Sequence, residues 1–230
     1  MKINEIKNSK LQIEAMRMAN DCIIKHVDEP LPNNYGFFMM IIGVPNSGKS
    51  TFWLNLITKK QKNTYYKKFD KIYIFSNSLK TITTKINLPE DQLFDGIKEL
   101  ESVIEKVKET DDKILLIIDD CVLDLKANDD FLLKLVYNRR HIAGSISIII
   151  TSQVYNKLPL AIRKASSDLV IFSTSNKKEL DSIFSEYINL SKPEFEQIVF
   201  YCYKTKHDFL FYKTLNNSYY HNFNRLELDF

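Results

Sequence analysis

The sequence predicts an α/β fold, a mostly parallel sheet flanked by helices on both faces. Three observations carry this expectation. Short apolar runs alternate with segments of helical periodicity. A glycine-bearing turn joins the first apolar run directly to a helix. No linker, repeat or low-complexity segment divides the 230 residues, a length that suits one large α/β domain with a sizeable core.

The elements follow in order. Leu11, Ala15, Met18, Ala19, Cys22 and Ile23 recur at helical spacing, which predicts an amphipathic helix over residues 9–27, closed by Pro30 and Pro32. Residues 1–35 are therefore expected to be an N-terminal helical segment and 36–230 the main domain. Phe37-Phe38-Met39-Met40-Ile41-Ile42 reads as a buried strand, and Thr51–Ile57 as the first turns of a helix. Lys59–Lys68 is a basic stretch with two tyrosines. It suits a solvated connection better than a contact with a phosphate backbone. Lys71–Ser76 is the second strand. Ile97, Leu100, Ile104 and Val107 form the stripe of a helix, and Ile114–Ile118 is a strand buried on both faces. A helix over 129–139, a fourth strand at Ser145–Ile150 and a fifth at Asp168–Phe172 come next. Helices over 177–187 and 193–203 precede a late strand at Asp208–Lys213. The tail from Leu215 to Phe230, polar and aromatic, shows no assignable pattern.

Composition sets bounds. Apolar content of 44% and charged content of 27% are those of a soluble globular protein. A net charge of +3 is not strongly basic, so any nucleic-acid contact must come from local patches or from a ring of subunits. Cys22, Cys121 and Cys202 lie far apart, with no C-x-x-C pair and no disulfide framework, which fits a reducing, intracellular setting. Cys121 reads as a small buried residue. No apolar run approaches a membrane span, and Met1-Lys2-Ile3-Asn4-Glu5 is not a signal peptide.

The turn after the first strand is Gly43-Val44-Pro45-Asn46-Ser47-Gly48-Lys49-Ser50, a match to G-x-x-x-x-G-K-S/T, the phosphate-binding P-loop or Walker A motif. Gly43 and Gly48 permit backbone angles that a Cβ forbids. The N–H groups of Asn46, Ser47, Gly48, Lys49, Ser50 and Thr51, at the loop and the helix start, can then converge on phosphate oxygens. Lys49 is expected to reach the terminal phosphates and Ser50 to place its hydroxyl on Mg²⁺. The second motif, Ile114-Leu115-Leu116-Ile117-Ile118-Asp119-Asp120, puts two carboxylates at the end of a buried strand, where open α/β sheets bind ligands. Asp119 reads as the Walker B metal acid and Asp120 as the base or orienter of a lytic water. Together the motifs predict a P-loop NTPase of the RecA-like (ASCE) type, with the fourth strand wedged between the two motif strands. A GTPase would carry D-x-x-G after Asp119, where Val122 and Leu123 stand, so ATP is the expected nucleotide.

Two further groups of residues extend the site. Gln153, closing the fourth strand in Thr151-Ser152-Gln153, can sense the terminal phosphate and hold the water. Asn138-Arg139-Arg140-His141 precedes that strand. Arg139 or Arg140 can supply an arginine finger to a neighbouring subunit, with Arg163 as another candidate; the same residues also suit a surface charge at a helix end. His141 has no acid or cysteine at ligand spacing and reads as a packing residue.

Taken in this order, Ile42–Thr51, Ile117–Asp120, and Asn138-Arg139-Arg140-His141 running through Ser147–Gln153 to Leu158-Pro159 and Ile162-Arg163 resemble the poxvirus-type DNA-packaging ATPases of the FtsK–HerA superfamily. The resemblance covers roughly residues 36–172, with a continuation through His207-Asp208-Phe209-Leu210. It implies an ATP-hydrolysing motor that moves double-stranded DNA into a preformed capsid. It also implies a homo-oligomeric ring with ATP sites at subunit interfaces, and capsid vertex proteins as partners. The setting would be the host cytoplasm, at the viral factory, and the virion. Carried over, Lys49, Ser50 and Asp119 hold ATP–Mg²⁺, Gln153 is the sensor and Arg140 the finger, with the doubled Arg139-Arg140 ambiguous by one position. Asp120 stands where much of the superfamily has Glu. Three alternatives stay open: a related DNA-transfer or helicase-type ATPase, a nucleotide kinase, and an adaptor that binds nucleotide only to assemble. A kinase would usually have a P-loop near its start and an arginine-rich lid; here 42 residues precede Gly43. The adaptor would not need the acid pair.

Overall fold

The computed structural model describes residues 22–58, 63–82, 86–121, 124 and 129–229. Among them, nine strands form one sheet in the order β3-β2-β4-β5-β1-β6-β7-β8-β9. These are β1 (Phe38–Ile42), β2 (Lys71–Ser76), β3 (Leu93–Asp95), β4 (Lys113–Asp119), β5 (Ser145–Ser152), β6 (Asp168–Phe172), β7 (Phe209–Lys213), β8 (Ser218–His221) and β9 (Asn224–Arg225). The helices are α1 (Lys49–Thr58), α2 (Leu100–Val107), α3 (Asp129–Asn138), α4 (Leu160–Lys164), α5 (Lys177–Tyr187) and α6 (Lys192–Cys202).

The strands from β3 to β6 pair in parallel, and β7 to β9 add an antiparallel edge. The wedge expectation holds: β5 lies between β4 and β1, pairing Ile118 with Ile150 on one side and Ile42 with Ser152 on the other. All five residues of β1 are buried, as befits a central strand with both faces covered. Its alternate residues feed two cores. Phe38, Met40 and Ile42 pack with α2, α3, α5 and α6, through side chains such as Leu100, Leu135, Ile183 and Phe195. Met39 and Ile41 pack on the opposite face with Trp53, Leu56 and Ile57 of α1 and with Ile24, Leu31 and Tyr65.

Four points need correction or completion. Residues 9–21 of the expected first helix lie outside the described residues, and 22–27 are not helical. Ile23 instead forms an isolated antiparallel bridge to Asn34, with Ile23 exposed and Ile24 buried, an alternation of strand type. Strand β3 was not foreseen, and the tail holds the β8–β9 hairpin. Part of the basic stretch, residues 59–62, also lies outside the described residues.

Candidate functional site

The parallel order brings the carboxyl ends of β1, β5 and β4 side by side, and most of the expected residues meet there. The loop after β1 turns sharply. Asn46 (φ +59°) and Gly48 (φ +115°) both lie in left-handed backbone. A Cβ on Gly43 would come within 2.6 Å of Ser47 Oγ and 2.7 Å of Phe172 Cβ, so only glycine fits beneath the loop. Ser47 Oγ is buried and has no hydrogen-bond partner among the described residues. Lys49 Nζ donates to the carbonyls of Gly43 (2.8 Å) and Val44 (3.2 Å), curled over the loop. Burial lowers the Lys49 pKa from its ordinary value, and the charges of Asp120 and Asp119 oppose that shift. Thr51 is exposed at the next position of α1.

Asp119 ends β4 fully buried and surrounded by donors. Ser50 Oγ (3.1 and 3.2 Å), Trp53 Nε1 (3.0 Å), Ser76 Oγ (3.1 Å) and Thr151 Oγ1 (2.8 Å) all donate to its carboxylate. Such a shell compensates the cost of desolvating a carboxylate. The backbone then turns: Asp120 has φ +57°, its N–H donates to Thr151 Oγ1 (3.0 Å), and its carboxylate accepts from Gln153 Nε2. The two acids thus point to different partners, Asp119 to the loop's Ser50 and Asp120 to the end of β5. Among the described residues no three His, Cys, Asp or Glu side chains gather as a metal cage. Ser50 and Asp119 are the oxygen donors a Mg²⁺ site would draw on, a set that suits an ion completing its octahedron with phosphate and water oxygens. Cys121 is buried, its thiol pushed up to about 12 by that burial, which makes it an inert core residue.

Several contributors were not read from the sequence. Trp53 stands three residues after Ser50, so both fall on one helix face, a spacing that was available as a signal. Ser76 was visible only as a strand end. His207 Nδ1–H donates to the Ser47 carbonyl (2.9 Å) and ties the phosphate loop to the turn before β7, a link no local pattern announces.

The arginines lie elsewhere. Arg139 and Arg140 follow α3 at the amino edge of the sheet, and β5 runs its eight residues between them and Gln153, roughly 25 Å at a rise of ~3.3 Å per residue. Arg139 Nε donates to the Gly36 carbonyl (2.7 Å) and an Nη to that of Val136 (2.6 Å). Burial, then the neighbouring Arg140, lowers the Arg139 pKa to about 10. The Arg140 guanidinium belongs to an exposed residue. Arg163 is 8% exposed, pairs with Glu186 (2.5 Å) and stacks over the Tyr155 ring at 4.5 Å. His141 is exposed at the same edge.

The fold and the loop with its acids define a P-loop ATPase. The poxvirus A32 protein family model matches residues 26–199. The chain therefore belongs to that family, the viral DNA-packaging ATPases that its sequence blocks resemble. Solved structures agree in fold. The DNA-packaging ATPase B204 from Sulfolobus turreted icosahedral virus superimposes with a TM-score of 0.56 at 18% identity, over 83% of this chain and 98% of that one. B204 from Sulfolobus turreted icosahedral virus 2 in complex with ATP-gammaS gives 0.55 at 16%, over 83% and 98%. ATPases 2 and 3 of EccC from Thermomonospora curvata, solved with a signal sequence peptide, give 0.53 at 14%, over 84% of this chain and 37% of that one. No curated protein matches the sequence. Among the described residues no helix is long and apolar enough to cross a membrane.

Proposed function

We propose that this chain is the motor subunit of a ring that hydrolyses ATP to drive double-stranded DNA into a capsid, docked on capsid vertex proteins within the infected cell. One observation carries the reading. Lys49, Ser50, Asp119, Asp120 and Gln153, drawn from three separate stretches of sequence, share one edge of three adjacent parallel strands. The ATP-gammaS complex of B204, a protein of the same fold, supports ATP as the ligand.

In this reading the N–H groups from Asn46 to Thr51 cradle the phosphates, and the orphaned Ser47 hydroxyl gains an acceptor. Lys49 leaves the loop carbonyls for the terminal phosphates. Ser50 and Asp119 would hold Mg²⁺, and the ion would supply positive charge beside the terminal phosphates. Asp120 accepts the proton of the attacking water and Gln153 orients that water, their mutual hydrogen bond fixing both side chains. Arg140 acts in trans: within one subunit it stands at the wrong edge, whereas a neighbour can bring its own Arg140 to the open site. Arg139, tied to two carbonyls, is the lesser candidate, and Arg163 is held in its pair with Glu186.

The test is ATP hydrolysis with and without duplex DNA. Hydrolysis is expected to rise with duplex DNA and to be lost in Lys49→Ala. Phosphate transfer to a nucleoside in preference to water would favour the kinase reading instead, and tight ATP binding without turnover the adaptor.

A further inference from the structure

Beside the phosphate loop lies a cavity of about 640 Å³ whose wall includes Gly48 and Thr51. It is too large and too apolar to be part of a phosphate site. Phe52, Phe172, Phe209 and Phe223 supply aromatic surface. Phe223 is the tip of the β8–β9 hairpin, 48% exposed, stacked on Phe52 at 5.8 Å and edge-on to Phe209 at 5.3 Å. The tip is pinned in place: Asn222 N–H donates to the Phe209 carbonyl (2.9 Å), and Phe209 N–H donates to Asn222 Oδ1 (3.0 Å). His207, which holds the Ser47 carbonyl, forms part of the same wall.

The acidic groups of the cavity are of the opposite kind to the donors of the loop, and Asn55, Asn63 and Thr64 add a neutral polar lining. Asp28 and Glu29 line it. Asp28 accepts from Asn63 Nδ2 (2.9 Å) and Glu29 from the Tyr220 hydroxyl (3.3 Å). Carboxylates repel phosphate and accept from hydroxyls and amines. A ligand spanning loop and cavity must therefore place its anionic end on the loop and a flat, donor-bearing end in the cavity. That is the polarity of a nucleoside triphosphate, with ribose hydroxyls and an exocyclic amine as the donors.

We infer that this aromatic cavity seats the nucleoside of the bound triphosphate, and that Phe223 of the C-terminal hairpin is its stacking surface. The inference rests on the reading of the loop as a nucleotide site. It reaches beyond the family match, which ends at residue 199, before His207, Phe209 and Phe223.

Calorimetry on the full chain with Mg²⁺, using ATP and inorganic tripolyphosphate as probes, separates the two ideas. Wild type is expected to bind ATP more tightly than tripolyphosphate. Phe223→Leu should weaken ATP roughly five- to hundredfold, the range for loss of one aromatic stacking contact, and leave tripolyphosphate unchanged; Phe223→Tyr should keep both. If Phe223→Leu binds ATP as tightly as wild type while tripolyphosphate still binds, the nucleoside seat is wrong and the phosphate loop stands. If Phe223→Leu loses both probes while Phe223→Tyr keeps both, Phe223 is a prop of the loop and the assignment is overturned. If wild type binds neither probe, the nucleotide reading itself fails.

Discussion

Two buried aspartates sit at opposite edges of the same sheet, and their surroundings differ. Asp119, at the carboxyl edge of β4, receives hydrogen bonds from Ser50, Trp53, Ser76 and Thr151. Asp168, at the amino edge of β6, receives one from Ser167 Oγ (2.6 Å), and its Oδ1 has no partner among the described residues. Burial raises the Asp168 pKa to about 6, against partial relief from Ser167 and Lys213. The lesson is that burial alone does not make a reactive centre. The carboxyl edge gathers groups that face a loop built for an anion. The amino edge uses its charged residues as fasteners, Arg139 on Gly36 and Val136 above all.

The sharpest way to break this contrast is Arg140→Ala, because Arg140 is the amino-edge residue assigned to chemistry. Removing a finger lowers turnover by about 10³–10⁵. Mixing Arg140→Ala with Lys49→Ala subunits should restore part of the hydrolysis, since each then supplies what the other lacks; unchanged turnover in Arg140→Ala alone removes the finger. Asp120→Asn comes next, with hydrolysis slowed by about 10²–10⁴ and ATP affinity nearly kept, as read by single-turnover kinetics. Arg139→Ala should lower stability by about 1–3 kcal/mol in denaturant titrations, by stranding two carbonyls, and leave turnover per folded subunit unaltered. Asp168→Asn should raise stability at pH 7 by about 1–3 kcal/mol.

The pH dependence of that last variant has a definite sign. A carboxyl whose folded pKa lies near 6 and whose ordinary value is 3.8 binds more protons folded than unfolded between those values. Stability from Asp168 is therefore highest below about pH 4 and declines as pH rises to about 6, then stays level. Melting curves across that window should show this decline in wild type and lack it in Asp168→Asn.

Much of this was legible. Continuous apolar runs such as Leu115–Ile118 and Ile148–Ile150 leave a two-sided buried strand as the natural reading, and the paired motifs predict which strand lies between them. The missed parts share a cause. Leu93–Asp95 is too short for a period to register, and the β8–β9 hairpin owes its place to pairing with β7 across the sheet edge. The end of the expected N-terminal helix failed because Cys22 and Ile23 fit two periods, and the bridge to Asn34 decides between them. Among the site's residues, those of the loop, the acid pair ending β4 and Gln153 after β5 were visible. The roles of Ser76 and His207 were not, since they exist only once distant segments meet.

Trp53 is the chain's single tryptophan, and its indole N–H lies 3.0 Å from the Asp119 carboxylate. The molecule thus carries its own optical reporter. Any shift of that carboxylate toward a cation alters the field across the indole, so ultraviolet emission can follow site assembly in unlabelled protein.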